Sequence, residues 1–243
     1  MLILPIVNYM EETENLTHAW LKEGWNSYLD NFRQILPAVI AFHILATLPM
    51  LLIWKYFDNR WYAIPYELFI GAPLTIGMNL FFIGIARGGK AEYGDIFKGF
   101  FAFVNVIAVS IIFGIIVTGG FMMFIVPGLI WGVMYGFSQY AVLDRKTGIK
   151  ESFVYSAAIT YGFKDRLFFI FMLWAMIEVF TPGVIGARGG LMHPRLALDF
   201  KPWVIMAFVL KTFVFLPWLD MTMAKAYVWL VKNHEAGGNK REP

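Results

Sequence analysis

Six apolar stretches, each close to the length of a membrane-crossing helix, recur along this sequence of 243 residues. A helix needs about 20 apolar residues to cross the hydrocarbon core of a bilayer, and a backbone in lipid must satisfy its own hydrogen bonds. The stretches span residues 35–54, 64–86, 99–117, 121–143, 167–187 and 203–231. The sequence therefore predicts an all-α fold, a polytopic membrane helix bundle of about six transmembrane helices with added amphipathic interfacial helices.

The stretches divide the chain into three expected regions. Residues 1–33 form a cytoplasmic N-terminal segment with an amphipathic helix, residues 34–232 form the six-helix transmembrane domain, and residues 233–243 form a cytoplasmic polar tail. Within the domain, the boundary between the third and fourth stretches rests on a short uncharged turn at residues 118–120. One long buried hairpin is the alternative to two separate crossings there.

The amino-acid composition is that expected of a membrane protein rather than of a soluble one. The chain is 59% hydrophobic and 15% charged, whereas soluble domains are about 45–50% apolar and about 25% charged. The net charge is +3, but the basic residues sit in short loops rather than on one stripe, so no nucleic-acid partner is expected. Cysteine is absent, which excludes a disulfide framework, a thiolate metal site and a cysteine nucleophile.

The short loops carry unequal positive charge. With six crossings both termini lie on one side of the membrane, and that side carries 13 Lys and Arg residues against 5 on the other. Positive loops face the cytoplasm in polytopic proteins. We therefore expect a multi-pass protein of the bacterial cytoplasmic (inner) membrane whose N- and C-termini are both cytoplasmic.

Two segments have the spacing of amphipathic helices. In residues 16–33, Trp25, Tyr28 and Phe32 fall on one helical face, which predicts an interfacial anchor with its aromatic rings in the lipid headgroup region. Packing of this face on the protein itself is the alternative. A weaker apolar stripe in residues 148–162 is made by Ile149, Phe153 and Ala157.

Glycine recurs at every fourth position of the fourth stretch, at Gly128, Gly132 and Gly136. Small residues let helices approach closely in lipid, where burial of apolar surface gives no driving force. The pattern predicts a packing face and places this stretch at the centre of the bundle. A path for a solute or a lipid tail is the alternative. Gly84 and Gly88 predict a second helix-packing contact.

Ionisable residues inside apolar stretches are costly, and each is a functional hypothesis. Glu178 and Lys211 lie at similar depth, about 13 Å below the outer surface, on consecutive antiparallel stretches. They predict a buried ion pair, which serves either as a structural clasp or as a proton- or ion-coupling site.

Further polar residues lie within the stretches. Asp220 and His43 are intramembrane candidates at comparable depth, and Pro217 should bend the sixth helix beside Asp220. Asn79 and Asn105 are predicted to form a hydrogen bond between the second and third helices.

Residues of catalytic or metal-binding type form no recognisable set. The histidines, His18, His43, His193 and His234, are scattered without the spacing of two ligands on one helix. Neither a nucleophile elbow nor a phosphate-binding loop occurs in the sequence. We expect no catalytic residues, no metal, no cofactor and no enzymatic activity.

Three motifs resemble a large family of uncharacterised bacterial six-helix integral membrane proteins, related to the membrane domain fused to some glycerophosphodiester phosphodiesterases. The motifs are GWNSYLDNFRQILP (24–37), IGMNLFFIGIARGGKAEYGDIFKGF (76–100) and VPGLIWGVMYGFSQYAVLDRKTGIKESF (126–153). The resemblance implies a six-helix membrane domain in which the Asp95–Phe100 and Pro127–Gly128 elements recur. It implies no activity, and phosphodiesterase activity is not expected because this chain lacks an acidic-and-histidine catalytic set.

These observations favour an accessory or scaffold subunit of a larger membrane complex. Its expected partners are the lipid bilayer and other membrane proteins, in a hetero- or homo-oligomer. A small-solute or ion transporter or channel, using the buried charged residues Glu178, Lys211 and Asp220, is the alternative.

Overall fold

The chain is helical over most of its length in a computed structural model, which describes residues 3–89, 91–190 and 192–238. The helices of the first half are α1 (Ile3–Asp30), α2 (Phe32–Phe42), α3 (Leu48–Phe57), α4 (Ile64–Tyr66), α5 (Ala72–Ala86) and α6 (Phe103–Met123). Those of the second half are α7 (Ile125–Tyr135), α8 (Ser138–Asp144), α9 (Ile149–Ile159), α10 (Lys164–Phe180), α11 (Pro202–Leu210) and α12 (Leu216–Gly238). The predicted all-α class is confirmed.

Short 3₁₀ helices and one small sheet complete the described architecture. The 3₁₀ helices are Arg60–Ala63 and Tyr93–Phe100. Between α10 and α11, β1 (Ile185–Arg188) pairs antiparallel with β2 (Arg195–Leu198), with Arg188 opposite Arg195. The sheet was not predicted, because the apolar periodicity that identifies crossings gives no signal for a hairpin of four-residue strands.

Four continuous helical runs are long and apolar enough to cross a membrane: Phe32–Phe57, Arg60–Ala86, Phe103–Met123 and Pro202–Ala236. The remaining two predicted stretches form shorter helices. The stretch 121–143 is divided into α7 and α8 at Gly136 and Phe137, and 167–187 corresponds to α10, which has 17 residues.

Three of the long runs contain a π-helical turn that ends two residues before a proline. The π segments and their prolines are His43–Thr47 with Pro49, Glu67–Gly71 with Pro73, and Lys211–Phe215 with Pro217. Proline lacks a backbone N–H, and its ring clashes with the carbonyl four residues earlier. A wider turn moves that carbonyl out of the way, so the distortion predicted at Pro217 takes this form and also occurs at two sites that were not predicted.

The predicted turn at residues 118–120 is wrong, because α6 runs through it to Met123. The chain breaks instead at Phe124, which is extended (φ −163°, ψ 153°). Pro127 falls in the first turn of α7, where a missing N–H is tolerated. Gly120 and Gly128 bring the two helices into backbone contact, since a Cβ on Gly120 would lie 2.7 Å from the Gly128 Cα.

The centre of the bundle is α5, which corrects the prediction that the glycine-rich fourth stretch lies there. In the apolar 18-residue segment of the run Arg60–Ala86, 50% of the residues are buried, whereas the corresponding share in the other long runs is 17–33%. The 3₁₀ helix Tyr93–Phe100 doubles back along α5, with Ile96 beside Gly77 and Gly99 beside Pro73. A Cβ on Gly77 would collide with the Ile96 carbonyl oxygen, so glycine is required for this close approach.

The N-terminal helix α1 packs antiparallel on α12. Edge-to-face ring contacts join Trp20 to Trp229 and Trp25 to Trp218, with centroids 5.5 Å and 5.4 Å apart. The Trp218 Nε1–H also donates to the Leu21 carbonyl at 3.0 Å. The contact therefore uses large aromatic side chains along several turns of each helix.

This packing corrects the prediction for Trp25 and Tyr28, two of the three residues predicted to anchor the helix in lipid headgroups. Tyr28 is 2% exposed and its hydroxyl donates to the Phe213 carbonyl at 2.8 Å, whereas Phe32 is 38% exposed. Because Trp25 packs on α12 and Tyr28 on the π segment before it, the alternative interpretation of docking on the protein itself describes these two residues, and the anchor role of Phe32 stays a prediction.

The short helix α9 buries a polar stripe that sequence reasoning missed. Ser152, Ser156 and Thr160, spaced four residues apart, are fully buried, and the Ser156 hydroxyl donates to the Met134 carbonyl at 2.8 Å. The predicted apolar stripe of Ile149, Phe153 and Ala157 is only partly buried. Short hydroxyl side chains allow α9 to lie close to α7 while satisfying a backbone carbonyl at the helix break.

Candidate functional site: an intramembrane cavity

A cavity of about 320 Å³ lies where the first two long runs meet α6 and α8. It is lined by Ala46, Thr47, Met50, Glu67, Gly71, Ala72, Thr75, Ile76, Ser110 and Gln139. Five of these residues carry polar side chains, although each lies within a stretch predicted to cross the membrane. We call this the Glu67 cavity.

The distorted turns of two helices build the Glu67 cavity. Thr47 ends the first π segment, and Glu67 and Gly71 begin and end the second. The Thr75 hydroxyl donates to the Gly71 carbonyl at 2.9 Å, and Thr47 Oγ1 lies 2.9 Å from His43 Nδ1. Single π turns within α-helices are frequently found at functional sites, because they expose backbone carbonyls and redirect side chains.

Glu67 supplies the cavity with negative charge. Its carboxylate lies 3.5 Å from the Arg60 guanidinium, and the two side chains are 36% and 51% exposed. This long, exposed contact leaves carboxylate oxygens free for a second partner. The hydroxyls of Thr47 and Ser110 and the amide of Gln139 add oxygen acceptors, a donor set suited to a cation or to a polar solute carrying N–H groups.

The donor set does not resemble a resident metal site. Within the described residues, no group of three or more His, Asp or Glu side chains comes close enough together to hold an ion. One carboxylate with hydroxyl and amide partners favours a weakly held solute.

The predicted pair of Glu178 and Lys211 lies in contact, outside the lining of the Glu67 cavity. Lys211 Nζ is 2.9 Å from Glu178 Oε2 and also approaches the Glu178 carbonyl at 3.4 Å. The Lys211 side chain is 13% exposed and that of Glu178 is 44% exposed, so the lysine is the more enclosed partner.

The other ionisable residues within the predicted apolar stretches are separated. Asp220 is half-buried and forms no hydrogen bond or ion pair with any residue that the structure describes. Lys225 donates from Nζ to the Ala86 carbonyl at 3.1 Å, where it caps the C-terminus of α5. His43 bonds to Thr47 and lies near Phe213 rather than Asp220.

The predicted hydrogen bond between Asn79 and Asn105 is wrong. Neither amide has a hydrogen-bond partner among the residues that the structure describes. The 3₁₀ helix Tyr93–Phe100 covers one side of α5 and delays the start of α6 to Phe103, four residues after the predicted start. Equal depth along two helices therefore does not bring the two amides together.

The predicted packing glycines divide into two groups. Three of them allow helices to approach closely. Gly128 contacts Phe121 and Gly120. Gly136 lies against Phe171, and Gly84 lies against Ala91. A Cβ on Gly132 would meet its nearest described neighbour, Val117, only at 4.0 Å.

The prediction that Gly88 is a helix-packing residue is wrong. It lies beyond the end of α5 at φ +77°, with no described atom near its Cβ position. The left-handed backbone conformation, which glycine adopts without strain, explains the residue type at this turn.

One end of the bundle is closed by the β-hairpin. The Pro194 carbonyl accepts from Trp54 Nε1 at 2.6 Å and from the Arg60 backbone N–H at 3.1 Å. Arg195 forms an ion pair with Asp58 at 2.9 Å. The connection between α10 and α11 is thus fixed to the ends of the first two long runs, beside the Arg60–Glu67 contact.

The opposite end is held by a cluster of charged and aromatic side chains. Arg87 donates to both carboxylate oxygens of Asp144, at 2.5 Å and 2.7 Å, and the Tyr227 hydroxyl donates to Asp144 at 2.9 Å. Arg145 forms an ion pair with Glu235. The carboxylate hydrogen bonds raise the pKa values of Arg87 and Arg145 above the usual arginine value.

No protein-family model, curated protein or solved structure matches the chain. The residues that line the Glu67 cavity come from separate apolar stretches, which explains why sequence reasoning did not assemble them. Two local signals were present: Glu67 within the second run, and prolines at positions 49 and 73, each two residues after a π turn.

Proposed function

We propose that this chain is a transporter or channel that admits a small cation, inorganic or organic, to the Glu67 cavity. The observation that carries the proposal is a carboxylate, three hydroxyls and an amide lining one cavity between apolar helices, at two π turns. Polar side chains inside membrane helices are costly and mark solute pathways. Discontinuous or distorted membrane helices are a recurrent way to build such sites.

We also propose six crossings of the bacterial cytoplasmic membrane with both termini cytoplasmic. The supporting observation is which helix ends contact one another at each end of the bundle. Asp144, the last residue of α8, contacts Arg87, and the next residue, Arg145, contacts Glu235, whereas Pro194 contacts Trp54 at the other end. After α6 has left the Arg87 end, the chain is back at that end at Asp144, so α7 and α8 together pass through the bundle once. It then reaches the opposite end at Pro194, so α10 passes through the bundle again. The resemblance to the bacterial six-helix family belongs to the same proposal.

The transport proposal is tested in liposomes of purified protein with an inside-negative potential, measuring uptake of K⁺ and of choline. Uptake above protein-free liposomes is expected for at least one of these cations. Glu67→Gln should reduce that uptake at least tenfold, because it removes the cavity's negative charge without changing its shape. Glu151→Gln, at an exposed residue outside the lining, is the matched control. Equal uptake by both variants, or none by the unmodified protein, contradicts the proposal.

An accessory or scaffold subunit, acting through other membrane proteins, is the second candidate. It is favoured by small residues of α6 that have no partner within the described chain. Gly114 and Gly119 have no described atom within 4 Å of their Cβ positions, and Thr118 beside them is exposed. Such a face suits close approach of another membrane helix.

The subunit proposal is tested by mass measurement after gentle solubilisation. A stoichiometric complex, with itself or with another membrane protein, should be disrupted by Gly114→Leu because the added side chain prevents close approach. The control Ile115→Leu keeps the volume of an exposed apolar residue of the same helix. A complex that survives Gly114→Leu contradicts the use of this face.

A further inference from the structure

A second cavity, of about 610 Å³, lies between the 3₁₀ helix Tyr93–Phe100, the start of α6 and the loop after α8. Its polar lining is Lys98, Asn105, Lys146 and Thr147, and its apolar lining includes Leu80 and Phe101. We call it the Lys146 cavity. It is separate from the Glu67 cavity, with which it shares no lining residue.

The Lys146 cavity has a net positive lining with unused donors. Lys146 is exposed and forms no hydrogen bond or ion pair with any residue that the structure describes. Its backbone is in the left-handed region (φ 52°), a conformation that costs a non-glycine residue free energy. The Asn105 amide is likewise without a described partner, so two donor groups of the lining remain available.

Lys98 adds a second ammonium group. It pairs with Asp95 at 2.5 Å, and its side chain remains 51% exposed. Asp95 also accepts from the Glu92 backbone N–H at 3.2 Å, within the capping box of the 3₁₀ helix. The Asp95 carboxylate is therefore shared with the backbone, and an ammonium has three donors, so Lys98 can bind a further anion.

The apolar part of the cavity distinguishes the class of ligand. Phe101 is 89% exposed, and it lines the cavity together with Leu80, Val142 and Leu143. The basic groups therefore border an apolar surface. The loop that carries Lys146 adjoins Asp144, the partner of Arg87, at the end of the bundle proposed to face the cytoplasm. Basic pockets between membrane helices on that side bind anionic lipid headgroups.

We propose that the Lys146 cavity binds a phosphate group carried by an anionic lipid of the cytoplasmic leaflet. Lys146 and Lys98 bind the phosphate oxygens, the Asn105 amide donates to the same group, and Phe101 and Leu80 contact the adjoining acyl chain. A soluble phosphate compound offers the same headgroup chemistry without the acyl chain. The proposal rests on the proposed cytoplasmic placement of this end of the bundle, and not on what enters the Glu67 cavity.

The test compares lipid retention in native mass spectrometry after incorporation into bilayers of phosphatidylcholine with a minor fraction of phosphatidylglycerol. The unmodified protein should retain phosphatidylglycerol selectively. The Lys98→Gln/Lys146→Gln double variant should lose at least tenfold in retention, and the Arg double variant at the same positions should keep it. The control Lys150→Gln/Lys232→Gln removes two exposed lysines outside the cavity and should behave as the unmodified protein.

Two outcomes would overturn the proposal. One is equal retention of phosphatidylglycerol by the Gln double variant and the control. The other appears in a separate arm, in which inorganic phosphate is titrated against the protein in uncharged detergent. A lysine-dependent rise in melting temperature with phosphate, without selective lipid retention, would show that the ligand is a soluble phosphate and not a lipid. The melting temperature without ligand, equal in all variants, checks their folding.

Discussion

At the scale of single residues, the ion pair of Glu178 and Lys211 shows how much helix depth alone can predict. The two residues are placed nine and eight positions from the adjoining ends of consecutive antiparallel stretches, and they meet at 2.9 Å. The same argument fails for Asn79 and Asn105. Depth follows from counting along the chain, whereas the rotation of each helix about its axis depends on neighbours such as Tyr93–Phe100, which no periodicity revealed.

Removing one partner of the Glu178–Lys211 pair should lower the stability of the folded protein more than removing both partners. Lys211→Met leaves the Glu178 carboxylate without its cation in an apolar region, which should lower the melting temperature in detergent. The double variant Glu178→Gln/Lys211→Met should recover part of the loss. Since Glu178 is 44% exposed, the loss should stay below the ~3–5 kcal/mol of a fully buried pair.

Thermal unfolding of both single variants and the double variant forms a double-mutant cycle. Strictly additive effects would show that the two side chains do not interact in the folded protein.

At the scale of elements, prolines and glycines decide where the chain departs from straight helices. Pro49 and Pro73 lie inside apolar stretches in the same way as Pro217, so three π turns could have been expected rather than one bend. The doubled-back 3₁₀ helix could not be predicted from the sequence. Its charged residues read as a loop, and its path depends on a groove in α5 that is visible only once Gly77 is placed.

Gly77→Ala should destabilise the protein by about 1–3 kcal/mol, because the added methyl group collides with the backbone carbonyl of Ile96 and cannot be relieved by a rotamer change. The matched control is Gly132→Ala, also within a helix, where Val117, the nearest described neighbour of the Cβ position, lies 4.0 Å away.

The control should be neutral or stabilise by up to about 1 kcal/mol through its higher helix propensity. Melting temperatures in detergent give the comparison. A Gly77 variant as stable as the Gly132 variant would mean that the 3₁₀ helix does not lie on α5.

At the scale of the whole molecule, the two ends of the bundle are fixed by different kinds of contact. One end carries the Arg87–Asp144–Tyr227 cluster, and the other carries the β-hairpin that binds Trp54 through Pro194. The charge of the loops predicts which end of the bundle faces the cytoplasm, but it does not predict which loops and helix ends contact one another. Partners such as Arg145 and Glu235 lie 90 positions apart in sequence and become neighbours only through the path of the helices from α9 to α12.

The number of crossings can be measured with single cysteines, because the chain contains no native cysteine to react in the background. A membrane-impermeant maleimide applied to intact cells should label Ala187→Cys in β1. Lys150→Cys and Ala236→Cys should react only after the inner membrane is permeabilised. All three positions are exposed in the structure, so a difference in labelling reports the side of the membrane.

Lys150 is the position that separates six crossings from four. If only the four longest runs crossed, residues 124–201 would all lie outside, and Lys150→Cys would react in intact cells together with Ala187→Cys. The contact of Asp144 with Arg87 argues against that arrangement, because it holds the end of α8 beside the inner end of α5. Labelling of Lys150→Cys from outside would therefore contradict both the six-crossing topology and the cytoplasmic placement of the Lys146 cavity.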